Sequence, residues 1–352
     1  MIHSAVPQGP STSGYAVAKS FTIAVDAMGG DHGADVCVPA AVSALECLPQ
    51  LEVMLVGEPT TLSRILGDSA QRFTGRLHVV PASQVVAMHE HPRDAVRHKK
   101  DSSMRVAIDQ VKRGRAQACV SAGNTGALMA TAHFVLKTLP GIERAAIMSV
   151  IPAEGGHTYM LDLGANAGAT AVQLLQFGVM GSIVAAELAH LPRPRVGLLN
   201  IGAEDIKGHE IVQAAHRLLQ ASGLNYIGFI EGTDIFSGKV DVVVTDGFTG
   251  NVALKSMEGI AGLISRAMKQ EFTRNFGRKL MALCARPALV AVRERFDPRR
   301  YNGASMVGLA GIVIKSHGGA DQIAFTQAIK TAVREAEQDV PRRIVDVLRA
   351  QS

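Results

Sequence analysis

Tryptophan is missing from this chain of 352 residues, and Phe and Tyr together bring aromatic content to only 4%. Gripping bases or sugars by stacking needs aromatic platforms, so this scarcity argues against nucleic acid as a ligand. Cysteine is scarce too: Cys37, Cys47, Cys119 and Cys284 lie far apart with no CxxC pair. That spacing argues against a disulfide framework or a cysteine-built zinc site and suits a reducing compartment. No run reaches the ~18 uninterrupted apolar residues of a membrane-spanning helix. The opening "MIHSAVPQGPSTSGYAVAKS" lacks the apolar centre of a signal peptide. Residues 1–20 therefore read as a flexible polar extension, and 21–352 as one α/β domain of a cytoplasmic protein.

Nucleophile motifs are also absent. GxSxG, HExxH, GxxxxGK[ST] and the papain- and caspase-type cysteine signatures do not occur, which leaves a covalent serine or cysteine intermediate without support. The turn "DAMGGDHG" (26–33) is not GxGxxG, and no acidic residue is placed after it for a ribose. His89, His91 and His98 lack a spacing that aims all three inward, so they read as a basic surface connection and not as a metal site.

What is present is an alternating pattern. The chain is 47% hydrophobic and carries 35 glycines, a balance that suits tight strand-to-helix turns. Nine short β-branched runs, "FTIAVD", "LEVMLVG", "LHVVPAS", "QACVSAG", "AAIMSVIP", "TYMLDLG", "RVGLLNIG", "LNYIGFIEG" and "KVDVVVTDG", are separated by helical patterns. Near-continuous hydrophobicity predicts strands buried on both faces, joined by parallel crossovers in a doubly wound, mostly parallel α/β sheet.

Polar residues concentrate where five strands end, in turns at 25–35, 121–130, 161–169, 200–208 and 245–255. Ligands of open α/β sheets bind beyond the carboxyl ends of strands, so these turns are expected to converge on one site. The first offers Gly29 and Gly30, which let backbone amides approach an anion, beside Asp26, Asp31 and His32. The second offers Ser121, Asn124 and Thr125, as helix caps or ligand groups. Asp162 and Asn166 frame Gly164 in the third. Lys207 in the fourth serves an anion or merely neutralises Glu204 and Asp205. In the fifth, Asp246 ends the strand, and Asn251 and Lys255 share one helical face. His317, in "KSHGGAD", ends a further apolar run as a cleft residue or a structural one.

One segment has a different character. Residues 266–300 hold ten Lys or Arg against three Asp or Glu, a local +7 in a chain whose net charge is +5. Within 265–300, Leu280, Met281, Leu283 and Leu289 lie among Arg274, Arg278, Lys279 and Arg286, with Pro287 interrupting or beginning a helix. Apolar side chains flanked by cations fit a helix pair attracted to anionic lipid, and a dimer interface explains the apolar part as well.

Taken in order, "DAMGGDHG", "KKDSSM", "SAGNTGALMA", "LDLGAN", "NIGAEDIKG", "DGFTGNVALKSMEG" and "GIVIKSHGGAD" resemble the bacterial phosphate acyltransferase (PlsX) family from about residue 22 to 340. The stretches "AGATAVQL" and "YNGASMVGLAG" and the residue Ala145 depart from the usual family pattern. The resemblance implies a Rossmann-like core related to phosphate acetyltransferases and isopropylmalate-type dehydrogenases. It implies reversible transfer of a fatty acyl group from acyl carrier protein to inorganic phosphate for phospholipid synthesis. It further implies a homodimer, peripheral at an anionic membrane and working beside a downstream membrane acyltransferase. In such a site Lys207 and Asn251 are the candidate catalytic groups. Asp26, Gly29, Gly30, Asp31, His32, Ser121, Asn124, Thr125, Asn166, Asp246, Lys255 and His317 are candidate substrate contacts. No metal or organic cofactor is needed by this scheme, and no nucleic acid is expected. Competing readings are an acyl coenzyme A donor, a decarboxylating dehydrogenase and a membrane-bound scaffold with a vestigial site.

Overall fold

Each of the nine apolar runs forms a strand. β1 (Phe21–Asp26), β2 (Leu51–Gly57) and β3 (Leu77–Pro81) alternate with α1 (Ala34–Cys47), α2 (Pro59–Leu66) and the short α3 (Ser69–Arg72). α4 (Pro92–His98) and α5 (Ser103–Lys112) lead into β4 (Ala118–Ser121) and α6 (Thr125–Leu136). β5 (Ala146–Ala153) and β6 (Gly156–Leu161) precede α7 (Ala171–Ala189), β7 (Val196–Leu199), α8 (Glu210–Ala221), β8 (Tyr226–Ile230) and β9 (Val242–Val244). Three helices follow, α9 (Gly247–Thr273), α10 (Phe276–Cys284) and α11 (Arg286–Arg295). The chain closes with β10 (Ala304–Val307), β11 (Ile312–Lys315), α12 (Gln322–Glu337) and α13 (Val340–Ala350). The computed structural model describes residues 20–350, so the extension expected over 1–20 lies outside the described residues apart from Ser20.

All eleven strands join one sheet in the order β3-β2-β1-β4-β11-β10-β5-β6-β9-β7-β8. Its pairs are parallel except around β5 and β10: β5 is antiparallel to both β6 and β10, and β10 is antiparallel to β11. The sheet is thus mostly parallel, as the apolar runs predict, with reversals at these two strands. Between β5 and β6 only Glu154 and Gly155 intervene, the latter at φ +74°, and a parallel return needs a dozen residues or more. A hairpin is the only connection that fits.

These reversals divide the sheet. β1 to β4 and β11 run one way, and β6 to β10 run the other. The five polar turns therefore form two sets, after β1 and β4 in one half and after β6, β7 and β9 in the other. They do not make the single row that one parallel sheet predicts. Sheets twist by about 20–25° per neighbour. Over the five steps from β4 to β9, that turns the two carboxyl edges to within roughly 55–80° of each other in direction.

Alternate strand residues feed different layers, as the two-residue period requires. Ala24, Cys119, Val313, Met160 and Val243 meet α5, α6 and the first turns of α9, through Met104, Ile108, Leu128, Ala253, Leu254 and Met257. This one apolar layer underlies helices from both sets of turns. On the other face α1, α2 and α12 cover the first half and α7, α8 and α13 the second. α7 has the length and apolarity of a membrane-crossing helix, but half of that span is buried, with Leu174, Phe177, Met180 and Val184 in the core.

α9 is different. Of its 27 residues only Gly247 and Gly250 are buried, and Ile260, Leu263, Ile264 and Met268 are exposed farther along. α10 packs back on α9, leaving Leu280, Met281 and Leu283 more than half exposed, while Leu289 on α11 is half-buried. Pro287 stands in the first turn of α11, where its missing N–H costs no helical bond.

Candidate active site

The first set begins with a polar row inside the sheet. Asp26 pairs with Ser121 across β1 and β4, and Ser121 with Lys315 across β4 and β11. All three are buried, at 1%, 0% and 9% exposure. Ser121 Oγ donates to Asp26 Oδ2 at 2.6 Å and accepts the Gly123 N–H at 3.0 Å. Lys315 Nζ donates to the carbonyls of Ala122 (3.2 Å) and Ser316. Burial pushes the Asp26 carboxyl up, opposed by the neighbouring Ser103 and Ser121 hydroxyls and the backbone at Met28 and Gly29. Burial also holds the Lys315 ammonium down at about 8, with Asp26 and Asp31 opposing it.

Glycine turns close over this row at backbone distance. A methyl group on Gly29 would overlap Asp26 Oδ2 and sit 3.0 Å from Gly123 N. One on Gly30, already at φ +89°, would sit 2.8 Å from Ala122 Cβ and 3.0 Å from Gly318 O. Asp31 N–H donates to Gly318 O at 2.9 Å, tying the turn after β1 to the turn after β11. At the rim, His317 Nδ1 accepts the Gly319 N–H at 3.1 Å, so the neutral ring carries its proton on Nε2. Asp31, His32, Thr125 and His317 are exposed. Asn124 both caps α6, accepting Ala127 N–H at 2.9 Å, and clamps a loop by donating to Met88 O and Glu90 O.

The second set comes from three neighbouring strands, β6, β9 and β7. Its anchor is Asp162, fully buried. Oδ1 accepts N–H groups of Ile147, Gly164 and Ala165, and Oδ2 accepts the backbone and side-chain N–H of Asn166. Asn166 Nδ2 donates onward to Ala145 O at 2.8 Å, so this amide is engaged in holding the turn. Asp246 caps α9 through the Thr249 N–H and hydroxyl. Side chains at Gly247 or Gly250 would overlap Asn166 O or Asp162 O, and this close approach sets Asn251 directly over Gly164.

Asn251 is half-buried, and its amide makes no hydrogen bond to another described residue. Lys255 follows one turn later, exposed and free of any ion pair among the described residues. Lys207 stands on the exposed turn after β7. Asn200 Nδ2 donates to its carbonyl at 3.1 Å, and Gln213 Nε2 bonds the same carbonyl and Asp205 O, so the backbone is braced while the ammonium stays unpaired within the described chain.

Two groups in this geometry escaped sequence reasoning. Lys315 was not singled out, although a cation directly after "IVI" in a strand buried on both faces is a signal of its own. Ser103, within "KKDSSM", is buried against Asp26, while its neighbour Ser102 caps α5.

Residues 21–343 match the family described as "Fatty acid synthesis protein". The chain is 57% identical to the phosphate acyltransferase of Methylococcus capsulatus, covering 92% of this chain and 95% of that one. It is 58% identical to the phosphate acyltransferase of Halorhodospira halophila, covering 92% and 94%. Among solved structures, the EutD phosphotransacetylase of Staphylococcus aureus aligns with a TM-score of 0.59 at 15% identity, over 91% of this chain and 94% of that one. A phosphotransacetylase of Streptococcus pyogenes gives 0.62 at 17%, over 90% and 94%. At such identities the structural likeness speaks for the α/β fold alone. The chain belongs to the fatty acid synthesis (PlsX) family of phosphate acyltransferases, enzymes that transfer an acyl group to phosphate.

Proposed function

We propose that the acyl donor is a fatty acyl thioester of acyl carrier protein, and that inorganic phosphate attacks it directly and reversibly to give acyl phosphate for phospholipid synthesis. The observation that carries this reading is that Asn251, Lys207 and Lys255, around the second set of turns, have side chains unpaired among the described residues. Phosphate at neutral pH is already an anionic oxygen nucleophile, so the site has to desolvate and orient it, not deprotonate it. The new bond joins a phosphate oxygen to the carbonyl carbon, and the C–S bond then breaks. Backbone amides of the glycine turns, with Lys207 and Asn251, position phosphate or stabilise the tetrahedral oxyanion, and Lys255 adds positive charge. A thiol of pKa near ~8.5 leaves as thiolate or takes a proton from His32.

The exposed apolar residues of α9 to α11 support two further parts of the reading. A second copy of the chain covers the apolar length of α9 as a homodimer. Leu280, Met281, Leu283 and Leu289, among the cations of this segment, contact an anionic membrane surface of the cytoplasm, beside a downstream membrane acyltransferase.

The test is an assay of purified protein with acyl-loaded carrier protein and phosphate, watching for acyl phosphate, with acyl coenzyme A in parallel. Faster turnover of the coenzyme A thioester would replace the carrier protein as donor. Turnover of neither would sink the reading.

A further inference from the structure

The polar row under the first set of turns is unexplained by packing. At the last residues of three largely apolar strands, the neighbouring positions are Asp26, Ser121 and Lys315. Burying charged groups there is costly. Two features show that the row is not a closed structural pair. Asp26 Oδ1 is buried without a hydrogen-bond partner among the described residues. Lys315 Nζ bonds only the carbonyls of Ala122 and Ser316, and no carboxylate of the described residues stands within ion-pair distance of it. Those carbonyls belong to the turns after β4 and β11, and Gly30 rests against Ala122 and Gly318. The ammonium thus sits where the three turns meet, beneath their backbone.

We propose that Lys315 is a positioning residue of the phosphate site, a buried cation that charges the floor under the glycine turns on which phosphate rests. This rests on the acyl-to-phosphate reading above and deepens it by assigning phosphate to the turns after β1, β4 and β11. A charge screened from water by protein acts on an anion above it far more strongly than a surface lysine does. Asp26 is the opposing charge, set on the far side of Ser121. The other charged or titratable groups around the floor are Asp31 and His317 on the turns and the thiols Cys37 and Cys119, which burial and Asp26 together push up and keep neutral.

The experiment compares wild type, Lys315→Gln and Asp26→Asn. Folding is checked by thermal denaturation, acyl phosphate formation is followed against phosphate concentration, and inorganic phosphate is titrated calorimetrically onto the free protein. Lys315→Gln keeps a donor for the two carbonyls and removes the charge. It is expected to raise the KM for phosphate at least about tenfold, the scale of one charged hydrogen bond, with kcat at saturating phosphate within about threefold. Asp26→Asn loses no bond at the unpartnered Oδ1 and removes the opposing charge, so phosphate should bind more tightly than to wild type. A structural role predicts the opposite sign. A folded Lys315→Gln with wild-type KM and phosphate affinity overturns the proposal, as does one that loses kcat at unchanged KM. Should Lys315→Gln not fold, Asp26→Asn decides by itself, with unchanged or weakened phosphate binding counting against the floor. A wild-type protein that neither turns over nor binds phosphate overturns the functional reading and this inference together, whereas active wild type with insensitive variants overturns only the inference.

Discussion

Asn251 lies across Gly164, so near that a methyl group on Gly164 would sit 3.4 Å from Asn251 Cβ and 3.6 Å from its Oδ1. Gly164 also has φ +122°, a conformation that side chains rarely adopt. Those distances are ordinary contact, so the φ decides: Gly164→Ala is expected to strain the turn on which Asn251 packs, lowering kcat roughly 10–100-fold, the scale of losing one oxyanion donor. Steady-state assays of a folded variant check this, and full activity would separate Asn251 from the chemistry.

Removing the free polar groups themselves should be more severe. Asn251→Ala and Lys207→Ala are each expected to cut acyl phosphate formation by about two orders of magnitude or more. Neither side chain holds another described residue, so both variants should melt within a degree or two of wild type. Wild-type turnover in both would remove the second set of turns from the mechanism.

Asp162 is a structural prediction. Its carboxylate satisfies five N–H groups at zero exposure. Asp162→Ala leaves those donors buried and unpaired, and a loss of about 3 kcal/mol or more is expected in urea denaturation. A loss below ~1 kcal/mol would mean that water replaces the carboxylate.

Glu335 gives a pH dependence with a definite sign. Burial pushes this carboxyl up to about 7, against the Ser305 hydroxyl at 2.9 Å and nearby Arg334. Between its ordinary 4.5 and about 7 the folded protein holds a proton that the unfolded chain has released. Stability therefore falls as pH rises through that window. Glu335→Gln lacks this dependence, so its advantage over wild type should grow from near zero at pH 4.5 to ~3 kcal/mol above pH 7. Denaturation at pH 5 and pH 8 reads it, and an advantage equal at both would remove Glu335 as the source.

The membrane reading has its own test. Changing Leu280, Leu283 and Leu289 to Ser should lower co-sedimentation with anionic liposomes several-fold, since each removes apolar area available to lipid. Activity toward soluble substrates should change less than twofold. Equal sedimentation of variant and wild type would assign these side chains to a protein partner.

Sequence alone determined nine of the eleven described strands, β1 to β9, because residues buried on both faces of a sheet leave a continuous apolar run. It also located the functional turns, since glycines and short polar residues accumulate where backbones must approach closely, and the ordered motifs placed the chain in its family. Strand direction it did not determine. β10, whose four residues "ASMV" resemble any core segment, and the two-residue β5–β6 connection reverse half the sheet, and that long-range pairing divided the turns into two sets. Tertiary structure alone also separated engaged polar groups from free ones. Asn166, Asn124 and Asn251 are the same residue type beside similar glycines, yet among the described residues the first two have their amides bonded and the third does not. Lys315 shows the same limit most sharply: in the sequence it ends an apolar strand, and only the register with Ser121 and Asp26 shows a buried charge where three turns meet.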